Sequence, residues 1–382
     1  MDAAPHHLHT SNPWGGTANI SATLPSPTRR SSSASPSLTS LINIGLLKSA
    51  LLPSLSLNSG LAVIAYTAGR LTNRLETKDL VWPLGPVFDA WWAAIFRHVV
   101  TLPFTDTSSV GQGVSLPTAW RALTRAEKLL LTGVTAWGGR LFYRLASRAW
   151  RRGRDDPRYD AVKHERGLSV MGKPVAGGGF WDWAWLRVYL PEAVWQSVIA
   201  LAVTTPFRLG LLDSSGTWGM GEYWEIGHAL AVGLFTAGLG LEVLADWQLE
   251  RFKEGKEGKG KMCKEGVWGV VRHPNYLGDA LVHLSFPLFL FANDLLAPIA
   301  LLAPLANYTF LRCVGGDKET EESQRRRYSA DDVAKKVEFD RYRSERNSFW
   351  PDASQLHNKW TWIVVGCGVA GTVVEKAIRE LF

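Results

Sequence analysis

The chain has 382 residues, a formal net charge of +7 and 46% hydrophobic residues, enough for two soluble domains or one polytopic membrane domain. Its three cysteines (Cys263, Cys313 and Cys367) are scattered, which excludes a disulfide framework and a zinc site, so no metal is expected. The positive charge does not call for nucleic acid, because cytoplasmic loops of membrane proteins are basic in any case.

Mean hydropathy is only −0.04. Charge is concentrated in a few loops, however, and the segments between them are strongly apolar. Residues 1–40 are rich in Ser, Thr, Pro and His, with Asp2 the only acid, and are expected to be disordered. No basic start runs into an apolar stretch, so no cleavable signal peptide is expected. Residues 41–382 form one membrane domain.

In chain order, apolar runs at 41–69 (interrupted by Pro53), 80–95 and 129–145 read as the weaker membrane spans. Stronger ones follow at 185–207, 224–245, 276–293, 295–311 and 360–374. A span needs ~20 apolar residues. The 18 tryptophans flanking these runs suit the membrane interface. The fold expected is therefore an all-α, polytopic helical bundle of seven to eight spans. Residues 276–311 break at Asn293-Asp294, which reads as a tight helical hairpin. Eight Lys/Arg lie in 144–166, seven in 246–272 and ten in 312–346, but none in 99–120 or 209–223. These basic loops follow alternate spans and share one face, cytoplasmic by the positive-inside rule. There is no GxGxxG, GxxxxGK[ST], HExxH or GxSxG motif.

Chemistry concentrates in residues 240–350. The string Gly266-Val-Trp268-Gly-Val-Val-Arg272-His273-Pro274-Asn275-Tyr276-Leu-Gly278-Asp279 opens an apolar run. Pro274 suits the first turn of a helix, whose free N–H groups favour an anion. Just upstream, Glu242 and Asp246 share a helix face, followed by Gln248, Arg251 and Lys253. The bland reading of Arg251 and Lys253 is positive-inside anchoring. Polar groups are costly at a bilayer boundary unless they bind something. The expectation is that these side chains have room left over for a charged dinucleotide.

The Trp268–Asp279 string resembles the signature shared by sterol double-bond reductases, steroid 5-alpha-reductases and isoprenylcysteine carboxyl methyltransferases. The run Asp246-x-Gln248-x-x-x-Phe252-Lys253 resembles the sterol reductases' Asn-x-Gln-Lys-x-x-Phe-Arg. Arg140-Leu141 and Asp155-Asp156-Pro157-Arg158-Tyr159 resemble an uncharacterised branch of the steroid 5-alpha-reductase superfamily. The resemblance implies an NADPH-dependent reductase of a lipid or sterol-like carbon–carbon double bond. Its substrate is lipophilic and enters from the bilayer. By resemblance, Lys253, Trp268, Asn275 and Tyr276 contact NADPH, as do Asp317 and Tyr342. Departures are Asp246 in place of Asn, Leu249 in place of a basic residue, and Arg346-Asn-Ser-Phe-Trp350-Pro351 in place of Val-Pro-Tyr-Arg-Ile.

Arg140, Gln248, Arg251, Arg272 and His273 complete the cofactor-binding set. Candidate proton donors are Tyr143, Glu242 and Asp279. The alternatives to Arg140 as a phosphate clamp and Tyr143 as a donor are an ion pair inside the bundle and an interfacial aromatic. His228 and His283 read as helix–helix hydrogen-bonding residues, and Gly233, Gly238 and Gly240 as close-packing positions. Two other functions stay open: an S-adenosylmethionine-dependent methyltransferase, and a membrane protein that keeps the fold without catalysis. The endoplasmic reticulum is the expected membrane, with mitochondria the alternative.

Overall fold

Helix is the regular structure throughout the described residues, as the apolar runs require. The computed structural model describes residues 44–99, 114–165, 179–209, 219–255, 261–331 and 333–381. The polar stretch 1–40 lies outside them. In order, the helices are α1 (Ile44–Thr72), α2 (Thr77–Trp91), α3 (Arg97–Val99), α4 (Leu116–Ala122), α5 (Arg125–Arg152), α6 (Pro157–Glu165), α7 (Phe180–Ala184), α8 (Leu190–Ile199), α9 (Leu201–Leu209), α10 (Trp224–Glu254), α11 (Pro274–Ala292), α12 (Leu302–Thr309), α13 (Gly316–Asp331), α14 (Val333–Glu345) and α15 (Lys359–Leu381).

Among the described residues, four helical stretches are long and apolar enough to cross a membrane: Ser49–Thr72, Gly221–Glu254, Pro298–Arg326 and Lys359–Leu381. A fifth is available if Phe180–Ile199 and Leu201–Arg208, bent by 56°, count as one span. The protein is thus a helical membrane protein. The other expected spans fall short for physical reasons. α2 has only 15 residues. The 28 residues of α5 include a dense run of arginines. α11 spends its first turns on Asn275, Asp279 and His283.

Local signals place the helix ends. At the start of α5, Thr124 Oγ1 accepts the Glu127 backbone N–H at 3.2 Å, and Glu127 Oε2 accepts the Thr124 N–H at 2.8 Å. This reciprocal cap satisfies donors the first turn leaves free. At the other end Gly153, with φ 66°, terminates α5 in the left-handed conformation that glycine adopts without strain. The expected hairpin forms: α11 ends at Ala292, Asp294 turns with φ 58°, and the Leu295 N–H reaches back to the Leu290 carbonyl at 2.8 Å.

α10 is the central strut, with α11 on one side and α15 on the other. Its glycines make both approaches possible. A Cβ on Gly238 would lie 2.7 Å from the Gly278 carbonyl, and one on Gly368 would lie 2.7 Å from the Gly233 carbonyl. Gly240 likewise faces Cys367. Small residues let backbones meet where a bilayer provides no hydrophobic drive between helices. The main apolar core joins Leu130, Leu131 and Val134 of α5 to Val282, Phe286 and Leu290 of α11.

Candidate active site and cofactor entrance

The motif folds as its sequence suggests. A 3₁₀ turn, Gly266–Gly269, leads to His273, which precedes Pro274 at the first turn of α11. The polar side chains, however, largely meet one another. Glu321 of α13 accepts from Arg272 Nε at 2.9 Å and Nη2 at 2.7 Å, and contacts His273 Nε2 at 3.0 Å and Arg343 Nε at 3.1 Å. Arg272 Nη1 also donates to the carbonyls of Arg343 and Arg346. Tyr276 pairs with Thr320 through their hydroxyls at 3.0 Å. Trp268 Nε1 donates to the Ala245 carbonyl at 3.0 Å, and the Trp268 carbonyl accepts from the Tyr342 hydroxyl. Gln248 accepts the Val267 N–H at 2.8 Å, and Asp317 is held by Arg312. Burial pushes the Tyr342 phenol up, with Cys263 adding to it. Burial also lowers the His273 imidazole, despite the opposing hydrogen bond to Glu321. Together these contacts latch α13 and α14 over the helix entrance.

Among the predicted contacts, three polar groups have no hydrogen-bond or ion-pair partner among the described residues. The half-buried Asn275 amide is unpaired at the first turn of α11. Lys253 forms no ion pair, although Asp156 attracts it through space, and Arg251 lies 5.0 Å over the Trp247 ring. An amide and two cations suit a ribose or amide and phosphates respectively. A polar cleft of ≈ 400 Å³, lined by Arg272, Arg343, Arg346, Asn347, Ser348 and Asp352, opens beside the latch.

Deeper in the bundle lies a second constellation. Arg140 of α5 pairs with both Glu242 and Asp246 of α10. Arg144 follows at 3.4 Å from Asp246 and 3.2 Å from Glu250, which Arg151 also reaches at 2.8 Å. This ladder selects the ion-pair reading of Arg140. Asp279 of α11 accepts from Trp137 Nε1 at 3.0 Å and Asn307 Nδ2 at 2.9 Å. His283 Nε2 stands 3.9 Å from Asp279 and packs edge-on against Trp137. Glu242 and Asp279 are 2% and 5% exposed, both shut away from water. Glu242 Oε1, His283 Nε2 and Asn307 Oδ1 have no hydrogen-bond partner. Tyr143 is brought to neither group: it is 75% exposed on the outer face of α5.

Sequence reasoning missed Trp137, Asn307 and Glu321. Trp137 shares a helix face with Arg140 at a spacing of three, the one signal that could have found it. His228 does bridge helices as expected: Asn293 donates to its Nδ1 at 3.2 Å, and Glu375 of α15 lies 3.1 Å from Nε2. The Asp-Pro-Arg-Tyr run builds a knot between α6 and α2. Arg158 and the Tyr159 hydroxyl both reach Asp79, at 2.9 and 2.7 Å. Burial raises Tyr159 well above the ordinary phenol range. It also works to raise Asp156, but Arg158 and its neighbours outweigh it and hold that carboxyl below the usual value.

A family described as "Protein of unknown function (DUF1295)" matches residues 65–344, well over half of the chain, and the protein belongs to it. No curated protein and no solved structure matches.

Proposed function

We propose that this member of the DUF1295 family is a membrane-embedded, NADPH-dependent reductase of a lipid or sterol-like carbon–carbon double bond, built on the plan of the steroid 5-alpha-reductases and sterol reductases. The supporting observation is a juxtaposition on α11. The unpaired Asn275 amide and the buried Asp279 are four residues apart, about 6 Å along the helix axis. The polar helix entrance thus sits one turn from a buried pair of acids.

In this reading Arg251 and Lys253 hold phosphates, Asn275 bonds an amide or ribose, and the Trp268 ring offers a stacking face. The cofactor supplies a hydride when bound. Glu242 or Asp279 supplies the proton, and the surrounding apolar helices exclude water. Arg272, His273, Tyr276, Gln248, Asp317 and Tyr342 shape the entrance through their partners in the protein. The substrate enters sideways from the bilayer. Adding α2, α5 and α11 to the four or five apolar stretches gives the seven to eight spans of such a fold, with the endoplasmic reticulum the membrane we favour.

The test is intrinsic tryptophan fluorescence of detergent-purified protein titrated with NADPH or S-adenosylmethionine. We expect a saturable change with NADPH alone, weakened at least tenfold (about 1.4 kcal/mol) by Asn275→Ala. A response to S-adenosylmethionine alone selects the methyltransferase reading. The paired state of the motif favours a non-catalytic protein as the second reading. No response to either ligand, with a deletion fully rescued by Asn275→Ala, would establish it. Lipid profiling of a deletion strain, seeking one accumulated unsaturated precursor, identifies the substrate.

A further inference from the structure

The ladder between α5 and α10 leaves charge unbalanced. Arg140, Arg144 and Arg151 face Glu242, Asp246 and Glu250, and Asp279 adds a fourth carboxyl to the same region. One proton balances the four acids against three guanidiniums. An uncompensated buried carboxylate is costly, so a proton is retained there.

Hydrogen bonding indicates its place. Both oxygens of Asp279 already accept an N–H, from Trp137 on α5 and Asn307 on α12. An indole N–H and an amide NH₂ can only donate, so both oxygens of Asp279 are engaged as acceptors. Glu242 differs: Arg140 takes Oε2 and the Trp137 indole lies beside it, but Oε1 makes no hydrogen bond among the described residues. The other unpaired atoms around Asp279 are His283 Nε2, 98% buried, and Asn307 Oδ1, fully buried. Both can act as acceptors, and a hydroxyl on Glu242 would add a donor to a layer that holds unpaired acceptors. The Glu242 Cγ packs beside Gly278, next to Asp279 in the chain.

We infer that the balancing proton resides on Glu242, and that Trp137 and Asn307 are positioning residues that pin Asp279 as the charged neighbour keeping it there. The catalytic consequence rests on the reductase reading. The Glu242 O–H bond breaks as a C–H bond forms at the carbon opposite the one receiving hydride. The hydride's electron pair comes from NADPH, which is oxidised to NADP⁺. The resulting Glu242 carboxylate is taken up by Arg140.

Infrared spectroscopy of the full chain in lipid at pH 7 tests the assignment without cofactor or substrate. The stretch of a protonated carboxyl, which shifts in heavy water, is expected in the wild type and lost in Glu242→Gln. Asp279→Asn, which removes the charged neighbour, is expected to weaken or abolish that band as well. Trp137→Phe and Asn307→Leu are each expected to weaken or shift the protonated band by loosening Asp279. If Glu242→Gln does not fold, carbon-13 labelling replaces it: the band altered by Trp137→Phe moves with labelled glutamate and not with labelled aspartate. Persistence of the protonated band in Glu242→Gln, or its indifference to Asp279→Asn, Trp137→Phe and Asn307→Leu, overturns the inference. None of those results touches the NADPH titration, so the two readings fail separately.

Discussion

Replacing Gly278 by alanine tests the packing that brings the acids together. An added Cβ would lie 2.6 Å from the Gly238 carbonyl oxygen, 2.8 Å from Glu242 Cγ and 3.0 Å from the Glu242 backbone nitrogen. Two of these neighbours are backbone on α10, which cannot rotate away. Non-bonded heavy atoms prefer about 3.5–4.0 Å, so α10 and α11 must part by roughly 1 Å. Forced overpacking of this kind costs about 1–3 kcal/mol. The far side of α10 resists the shift, because Gly368 of α15 meets Gly233 just as closely. Thermal unfolding in detergent, followed by tryptophan fluorescence, measures the cost. Gly139→Ala is the control. It lies within α5, and a Cβ there meets nothing within 4 Å. Removing a helix-interior glycine there is expected to be neutral or stabilising by about 0.5–1 kcal/mol. Equal stability of the two variants would refute the close-packing argument.

Arg140→Leu removes the guanidinium shared by Glu242 and Asp246, while Arg144 still reaches Asp246, and is expected to destabilise by about 1–3 kcal/mol, read by the same unfolding assay. A variant as stable as wild type would show that those carboxyls do not depend on it. The latch predicts acid sensitivity. Because burial lowers the His273 imidazole below its ordinary 6.5, the folded state binds fewer protons there than the unfolded state. Stability from this group is complete above pH 6.5 and is lost as pH falls through and below it. Asp156 acts in a lower window: its contribution is complete above its ordinary 3.8 and lost as pH falls through its depressed value. Proteolysis of α13 and α14 should therefore increase from pH 8 to pH 5.5, and His273→Gln should flatten that trend. An unchanged pH response in His273→Gln would assign the effect to another group.

Some features were legible because their cause is local. The hairpin at Asn293-Asp294 follows from two polar residues between apolar runs, and the start of α11 from Pro274. The glycines of α10 were read correctly as packing positions, because small residues at helical spacing have little other use in an apolar segment. Span number was harder. Polar groups that a motif places within an apolar run lower its hydropathy, and α11 pays that cost at Asn275, Asp279 and His283.

The amino-acid sequence alone was enough to specify a helical membrane protein with a polar cluster at a helix entrance, since apolar run length and helix-breaking residues act over a few neighbours. Tertiary structure decided which of those polar groups are consumed. Arg140 meets Glu242 across 102 positions and Arg272 meets Glu321 across 49. No local spacing encodes such pairs. They form because burying a charge without a partner costs more than ordering two distant side chains against each other.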